Sequence, residues 1–510
     1  MLRHLARYLL ALCLAFGGGS LGNSALAQAN APDRPRSDGG KAQGETAGPG
    51  VLRLLPADAV SERQITIAGK PLAYTATAGT LPLYETSGEQ SAAIFYTAYV
   101  AKDAGSNRPL TFVFNGGPGA ASAYLHMGFV GPRILPLGPQ GREPSRAQLA
   151  DNPHTWLAFT DLVMIDPVGT GWSRAAKPDG DKPFRTVQGD AGSIAKAIAL
   201  YVTRNGRHAA PLYLLGESYG GFRAAKVARA LQREQSLFAS GIVMVSPLLD
   251  GAYVFGSSSS ALASALQFPS VVASELERRG TFSLQTMAEA ERFALTDYLI
   301  TLAGPPLTGD AARAFHDRIA AMTGLSPDVV ADARGHITEA AARIRKDGMP
   351  LITSIYDGGV AVENPFPESG RRRVDPLLDG ATRAYGSAFA AYARDELGFR
   401  TDMTYALLAP SRWDWGDAGR LGASAMGDLR ELLTLDRSFR LLVMHGYSDL
   451  VTTYGVSRYL LDQLPFGRPD RAALKVYRGG HMMYLNEDTL REATEDARAF
   501  YRAGAARDPR

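Results

Sequence analysis

Ser218 stands in "LYLLGESYGGFRAAKVA", residues 212–228, after a short apolar run and before helical spacing through Phe222, Val227 and Leu231. A serine hydroxyl is a weak nucleophile until a base takes its proton, and that base needs an orienting group. Glycine makes up 54 of the 510 residues, so G-x-S-x-G could arise by chance. The context decides: a strand, a tight turn flanked by Gly216 and Gly220, then a helix is the setting of a nucleophile elbow. Downstream, "LLVMHGYSDLV" puts Asp449 in a loop after an apolar run, and "ALKVYRGGHMMY" puts His481 just after the last such run. His445 is the competing base, ranked second because it ends its strand before the turn.

An acyl-transfer site also needs donors for the oxygen that becomes negative. "FNGGPGA", residues 114–120, follows the apolar run "LTFVF", and its glycines let backbone N–H groups approach a reacting oxygen. The remaining histidines are His4 near the start, His208 in a polar stretch, His316 and His336 in a helical region, and His126 and His154 near loops. None has a metal-ligand spacing, and acyl transfer through a serine needs no added group, so neither a metal nor a cofactor is expected.

These residues need elements that bring them together. Period-2 stretches such as "RQITIAGKPLAYTA" and "AAIFYTAYVA" predict antiparallel strands at the start of the ordered chain. From residue 110 the rhythm changes to continuous apolar runs at 110–114, 161–166, 212–215, 241–245, 440–444 and 473–477. Such runs suit parallel strands buried on both faces, with a crossover helix read from Ile194, Ile198 and Tyr201. Asp449 and His481 would then lie at C-terminal strand ends, where open α/β sheets carry their sites. The chain order Ser, Asp, His and this pattern predict the α/β class: an α/β-hydrolase with a mostly parallel central sheet and N-terminal antiparallel strands. Residues 251–435 lose the strand pattern for helical ones, as in "DAARAFHDRIAAM", and are read as an inserted, mainly helical cap. The core is expected in two parts, 51–250 and 436–510.

Arg3 and Arg7 precede the apolar "LLALCLAF", and "ALA" ends at Ala27, so residues 1–27 read as a secretory signal peptide. Residues 28–50, rich in Gly, Pro and charge, read as a disordered linker. Cys13, the single cysteine, lies in the leader, so the exported chain would hold no disulfide. The formal charge of +3 loses two arginines with the leader and becomes +1, which gives no reason to expect nucleic acid or an anionic membrane as partner. Periplasmic or secreted localisation is expected.

Taken together, "NGGPGAASA", the "GP" at Gly131 and Pro132, "DNPHTWLAFTDLVMIDPVGTGWS", "GESYGG", "HGYSDLV" and "GGHM" resemble the serine carboxypeptidase family. The resemblance implies Ser218 as nucleophile, His481 as general base and then acid, and Asp449 as its orienter. It implies the backbone N–H groups of Gly117 and Tyr219 as the oxyanion hole. It also implies Asn115 and Glu217, with Gly116 beside them, as the site for a peptide's terminal carboxylate. A glutamate there would repel a carboxylate unless one of the two holds a proton. Two positions depart from the family: a second glutamate is replaced by Phe129, and a disulfide cysteine by Ala120.

The expected function is an exported serine carboxypeptidase acting on peptides through an acyl-enzyme. An esterase or acyltransferase on the same fold is the alternative, which Phe129 favours. A non-catalytic binding protein with a vestigial triad is the third reading.

Overall fold

Three antiparallel strands, β1 (Ala59–Ile67), β2 (Lys70–Tyr84) and β3 (Gln90–Ala101), open the sheet and are followed in the chain by seven more. These are β4 (Leu110–Phe114), β5 (Asp161–Ile165), β6 (Arg174–Ala175), β7 (Leu212–Glu217), β8 (Ala239–Val245), β9 (Arg440–Gly446) and β10 (Ala472–Tyr477). The computed structural model describes residues 49–505 apart from 103, 106, 338–344, 347, 348, 367, 369–374, 410, 411 and 465–470. The expected leader, 1–27, and residues 28–48 of the expected linker lie outside the described residues. Gly50–Leu54 form a short 3₁₀ turn that buries Leu52.

The sheet runs in the order β1-β2-β3-β5-β4-β7-β8-β9-β10, with β6 paired to β3. The pairings of β3 with β5 and β6 are antiparallel. From β5 across to β10 every pairing is parallel. Every residue of β4, β5 and β7 is buried, which explains their unbroken apolar runs. This is the α/β-hydrolase arrangement read from the sequence. One run behaves differently: β10 is an edge strand in which only Tyr477 is buried, and Lys475 reaches out to Asp496. An edge strand is paired along one side alone, and the partial exposure of its residues shows that 473–477 is not buried on both faces.

Parallel neighbours need crossovers, and the helices supply them. Helix α1 (Val187–Arg204) starts where the Thr186 hydroxyl accepts from Gly189 N–H and buries Ile194, Ile198 and Tyr201. Helix α2 (Tyr219–Glu234) follows β7 directly, so the turn between them belongs to both. Arg223, 1% exposed, ties these elements to the "NGGPG" turn. Its Nε donates to Asp190 Oδ2 on α1 at 2.7 Å and its Nη1 donates to the carbonyl of Asn115. The same guanidinium lies 5.0 Å from the Tyr219 ring centroid.

Between β8 and β9 the chain is mostly helical, including α3 (Ala261–Arg279) and α4 (Leu378–Tyr392), with a small three-stranded antiparallel sheet at Arg345–Lys346, Met349–Thr353 and Ala361–Glu363. Part of this stretch has its own apolar cluster around Phe268, Phe293, Tyr298 and Ile319. Helix α4 packs differently: Tyr385, Phe389 and Tyr392 join the same buried cluster as Phe95, Phe129 and Tyr484. Helix α5 (Tyr454–Asp462) separates Asp449 from β10, and α6 (Glu487–Ala505) follows His481. No helix among the described residues is long and apolar enough to cross a membrane.

Asp190→Ala would leave the buried Arg223 guanidinium without its carboxylate. The expected loss of unfolding free energy is about 3–5 kcal/mol, read from urea melts.

Candidate active site

Ser218 sits at φ 62° and ψ −125°, a conformation costly for a residue with a side chain. Its surroundings hold it there: Ser218 N–H donates to Val245 O at 2.9 Å, and its carbonyl accepts from Gly221 N–H at 3.0 Å and Leu248 N–H at 3.1 Å. The turn closes because its neighbours lack side chains; a Cβ on Gly216 would fall 2.0 Å from Gly220 O. Ser218 is partly exposed while the residues on either side are buried, so a strained turn presents one hydroxyl at the end of a buried strand.

The expected base and its expected orienter meet. His481, 2% exposed, donates from Nδ1 to Asp449 Oδ2 at 2.9 Å, which makes Nε2 the acceptor nitrogen of the neutral ring. Asp449 Oδ1 accepts from Val451 N–H at 2.8 Å and Thr452 N–H at 3.0 Å, so the carboxylate is fixed from both sides. Burial disfavours the His481 imidazolium, but Asp449 by charge and hydrogen bond, and Glu217 by charge, outweigh it and hold its pKa above the ordinary histidine value. His445, the competing base, is fully buried on β9 with Nε2 on the Ser457 hydroxyl at 2.7 Å. Its Nδ1 lies 3.9 Å from Asp449 Oδ2, and burial pushes its pKa down to about 4.

Ser246 and Thr452 connect the three loops, and sequence reasoning missed both. Ser246 follows Val245, the acceptor for Ser218 N–H, and its hydroxyl donates to the carbonyl of His481 at 2.9 Å. The single hydroxyl proton of Thr452 is shared between Ser246 O at 2.7 Å and Asp449 Oδ2 at 3.0 Å. Neither residue carries a sequence signal, because each acts through a partner more than 25 positions away, except for the local bond of Thr452 to Asp449.

The "NGGPG" turn packs against the elbow. A Cβ on Gly116 would lie 2.6 Å from Tyr219 N, so the backbones of the two turns approach to glycine distance. Gly117 has φ +99°, and Tyr219 opens α2, whose N-terminal dipole favours negative charge. Asn115 and Glu217 are in direct contact: Asn115 Nδ2 donates to Glu217 Oε2 at 2.8 Å, while Asn115 Oδ1 accepts from Leu125 N–H at 3.0 Å. Burial raises the Glu217 pKa to about 7, against the opposing charge of His481 and hydrogen bonds from Tyr484 and Asn115. Phe129 is wholly buried in an aromatic stack and offers no polar group here.

The helical stretch before β9 reaches the same centre. His481 N–H donates to Tyr356 O at 2.5 Å, and the Tyr356 ring stands edge-on to the imidazole at 5.4 Å. Ser448 Oγ, beside Asp449, donates to Asp357 Oδ1 at 2.7 Å. Tyr484 Oη donates to Glu217 Oε2 at 2.9 Å, and Tyr385 brings a fully buried hydroxyl from α4. Tyr484 is only three residues beyond His481, yet nothing in that spacing says its hydroxyl returns to β7.

A strained serine after a central parallel strand, with an Asp–His pair on the loops after β9 and β10, defines an α/β-hydrolase site. The solved structure of Kex1(delta)p, a prohormone-processing carboxypeptidase from Saccharomyces cerevisiae, shares the fold at a TM-score of 0.51 and 14% identity, covering 84% of this chain and 91% of that one. Residues 71–255 match the family model described as serine carboxypeptidase, which bears out the resemblance read from the motifs. That segment holds Asn115, Glu217 and Ser218 and ends before Asp449 and His481.

Among curated relatives, serine carboxypeptidase-like 36 of Arabidopsis thaliana is 28% identical over 154 residues, 29% of this chain and 30% of that protein. Retinoid-inducible serine carboxypeptidase of Rattus norvegicus is 29% identical over 150 residues, 28% of this chain and 30% of that protein. The chain thus spans about a third of the length of the curated relatives it matches.

Glu217 has a folded pKa of about 7 against 4.5 for the free side chain, so between these values the folded chain holds a proton the unfolded chain has released. Folding stability from this group is full below that window and falls as pH rises through it. Glu217→Gln keeps an acceptor for Asn115 and Tyr484 and should stabilise the protein by up to about 3 kcal/mol at alkaline pH, with little effect under acid conditions, in paired urea melts.

Proposed function

We propose that this chain is an exported serine-type carboxypeptidase that releases C-terminal residues from peptides. The observation that carries this reading is the Asn115–Glu217 hydrogen bond immediately before Ser218: it puts a carboxyl that binds its proton tightly next to the nucleophile. A protonated Glu217 and the amide of Asn115 can donate to a peptide's terminal carboxylate, which fixes the scissile bond one residue away.

In this mechanism His481 Nε2 takes the Ser218 proton as Oγ attacks the carbonyl carbon. The oxygen that gains charge is held by the backbone N–H groups of Gly117 and Tyr219. His481 then gives the proton to the leaving amine, the C-terminal residue departs, and an acyl-enzyme on Ser218 remains. Water attacks the acyl carbon by the same route, with His481 as base and then acid, and frees the shortened peptide. Every step is acid–base and nucleophilic chemistry of the chain's own groups.

His481 must start neutral and Glu217 must start protonated, while the charge of each favours the charged form of the other. The pair shares one proton in the active form. Activity is therefore lost on the acid side as His481 becomes charged and on the alkaline side as Glu217 releases its proton, above about 7. Export follows from the leader read at 1–27, and N-terminal sequencing of the mature protein would test it by finding the first residue just after Ala27.

An esterase or acyltransferase is the second reading, favoured by the buried Phe129 in place of a second carboxyl. Hydrolysis of one blocked dipeptide, its C-terminal amide and its ester, across about pH 4 to 8 separates the two. Cleavage of the free acid over the amide is expected; equal rates on acid and amide, or cleavage of the ester alone, would favour the second reading. Ser218→Ala should lower turnover at least about a thousandfold with an unchanged melt. Glu217→Gln should flatten the alkaline limb and leave the acid limb nearly unmoved, because Glu217 already holds its proton there.

A further inference from the structure

The two oxygens of Glu217 are not equivalent. Oε2 accepts from Asn115 Nδ2 at 2.8 Å and from Tyr484 Oη at 2.9 Å, whereas no hydrogen bond among the described residues reaches Oε1. A carboxylic acid has one O–H, and two donors aimed at one oxygen leave that proton to the other. The donors therefore select Oε1 as the protonated atom.

Tyr484 is held for this task by aromatic packing. Its ring stacks on Phe129 at 5.2 Å with an interplanar angle of 11°, and Phe129 is braced edge-on by Trp156 at 5.2 Å. Gly128 lets both tyrosines close in: a Cβ there would lie 2.7 Å from Tyr484 Cε2 and 2.7 Å from Tyr385 Oη. The titratable groups that act on Glu217 or feel its charge are His481 and Asp449 from their loops, Tyr484 beyond His481, Tyr385 from α4, and Tyr124 after the "NGGPG" turn.

We propose that Tyr484 is a positioning residue for recognition of the substrate carboxylate: with Asn115 it occupies Glu217 Oε2, so that the proton on Oε1 is presented to the peptide's C-terminus. Phe129 is the platform that keeps the tyrosine ring in place. The inference rests on the carboxypeptidase reading above. It also gives Phe129 a function where the resemblance called for a second glutamate. A phenol that stays protonated throughout the working range replaces a second titrating acid, so one carboxyl alone governs binding of the free C-terminus.

The test is Tyr484→Phe, which removes the hydroxyl and keeps the stack on Phe129. Kinetics are measured on a blocked dipeptide, its amide and its methyl ester. At the pH where wild-type activity on the free acid is highest, KM for the free acid should rise about fivefold while kcat on the ester stays within about twofold. The hydroxyl stabilises the charged carboxylate, so its loss should also move the alkaline limb of the free-acid profile to higher pH. In a Glu217→Gln background the same change should add nothing to the acid-to-amide ratio.

If the wild-type enzyme discriminates acid from amide but Tyr484→Phe leaves KM and the limb unchanged, the positioning role is wrong and the carboxypeptidase reading stands. If ester and peptide activities fall in step, Tyr484 is only structural and the proposal is again overturned. A wild-type enzyme that treats acid and amide alike would overturn both.

Discussion

A carboxyl group stripped of water beside the proposed nucleophile governs this centre. Glu217 is 4% exposed, and at that burial an uncompensated negative charge is expensive. The two donors on Oε2 reduce the cost without removing it, and the pKa settles near 7. That leaves the group able to hold or release its proton close to neutrality. Its charge also reaches His481, so the base and the carboxyl cannot be set independently.

The sheet makes such a centre possible by ending three parallel strands at one place. β7 ends in the elbow, β9 runs into the Asp449 loop, and β10 runs into the His481 loop. Short bonds then remove the remaining freedom. Ser246 lies beside the acceptor of Ser218 N–H, bonds the backbone of His481, and accepts from Thr452, which also contacts Asp449. A shift in one loop would break bonds to the other two, so the three behave as a unit.

The long stretch between β8 and β9 takes part in the same unit. Its turn at residues 354–360 bonds the backbone of His481 and Leu450 and accepts from Ser448, while α4 delivers Tyr385 to the aromatic cluster under Glu217. The stretch between β8 and β9 thus holds an apolar cluster of its own and also side chains that pack into the cluster beneath Glu217.

Much of the fold was legible in the sequence, because it rests on local rules. The continuous apolar runs became the parallel strands, with those of β4, β5 and β7 buried throughout, and helical spacing at Ile194, Ile198 and Tyr201 became α1. Ser218, Asp449 and His481 could be named as candidates because an elbow and two post-strand loops are short patterns with a mechanical meaning. What the sequence could not decide was every contact between distant segments. It could not show that β10 would be an edge, that Thr452 and Ser246 would join the loops, or that Tyr484 and Phe129 would stand beneath Glu217. Hydrogen bonds and ring stacking act over a few ångströms of space, not over positions along the chain, so their partners are chosen only when the sheet has closed.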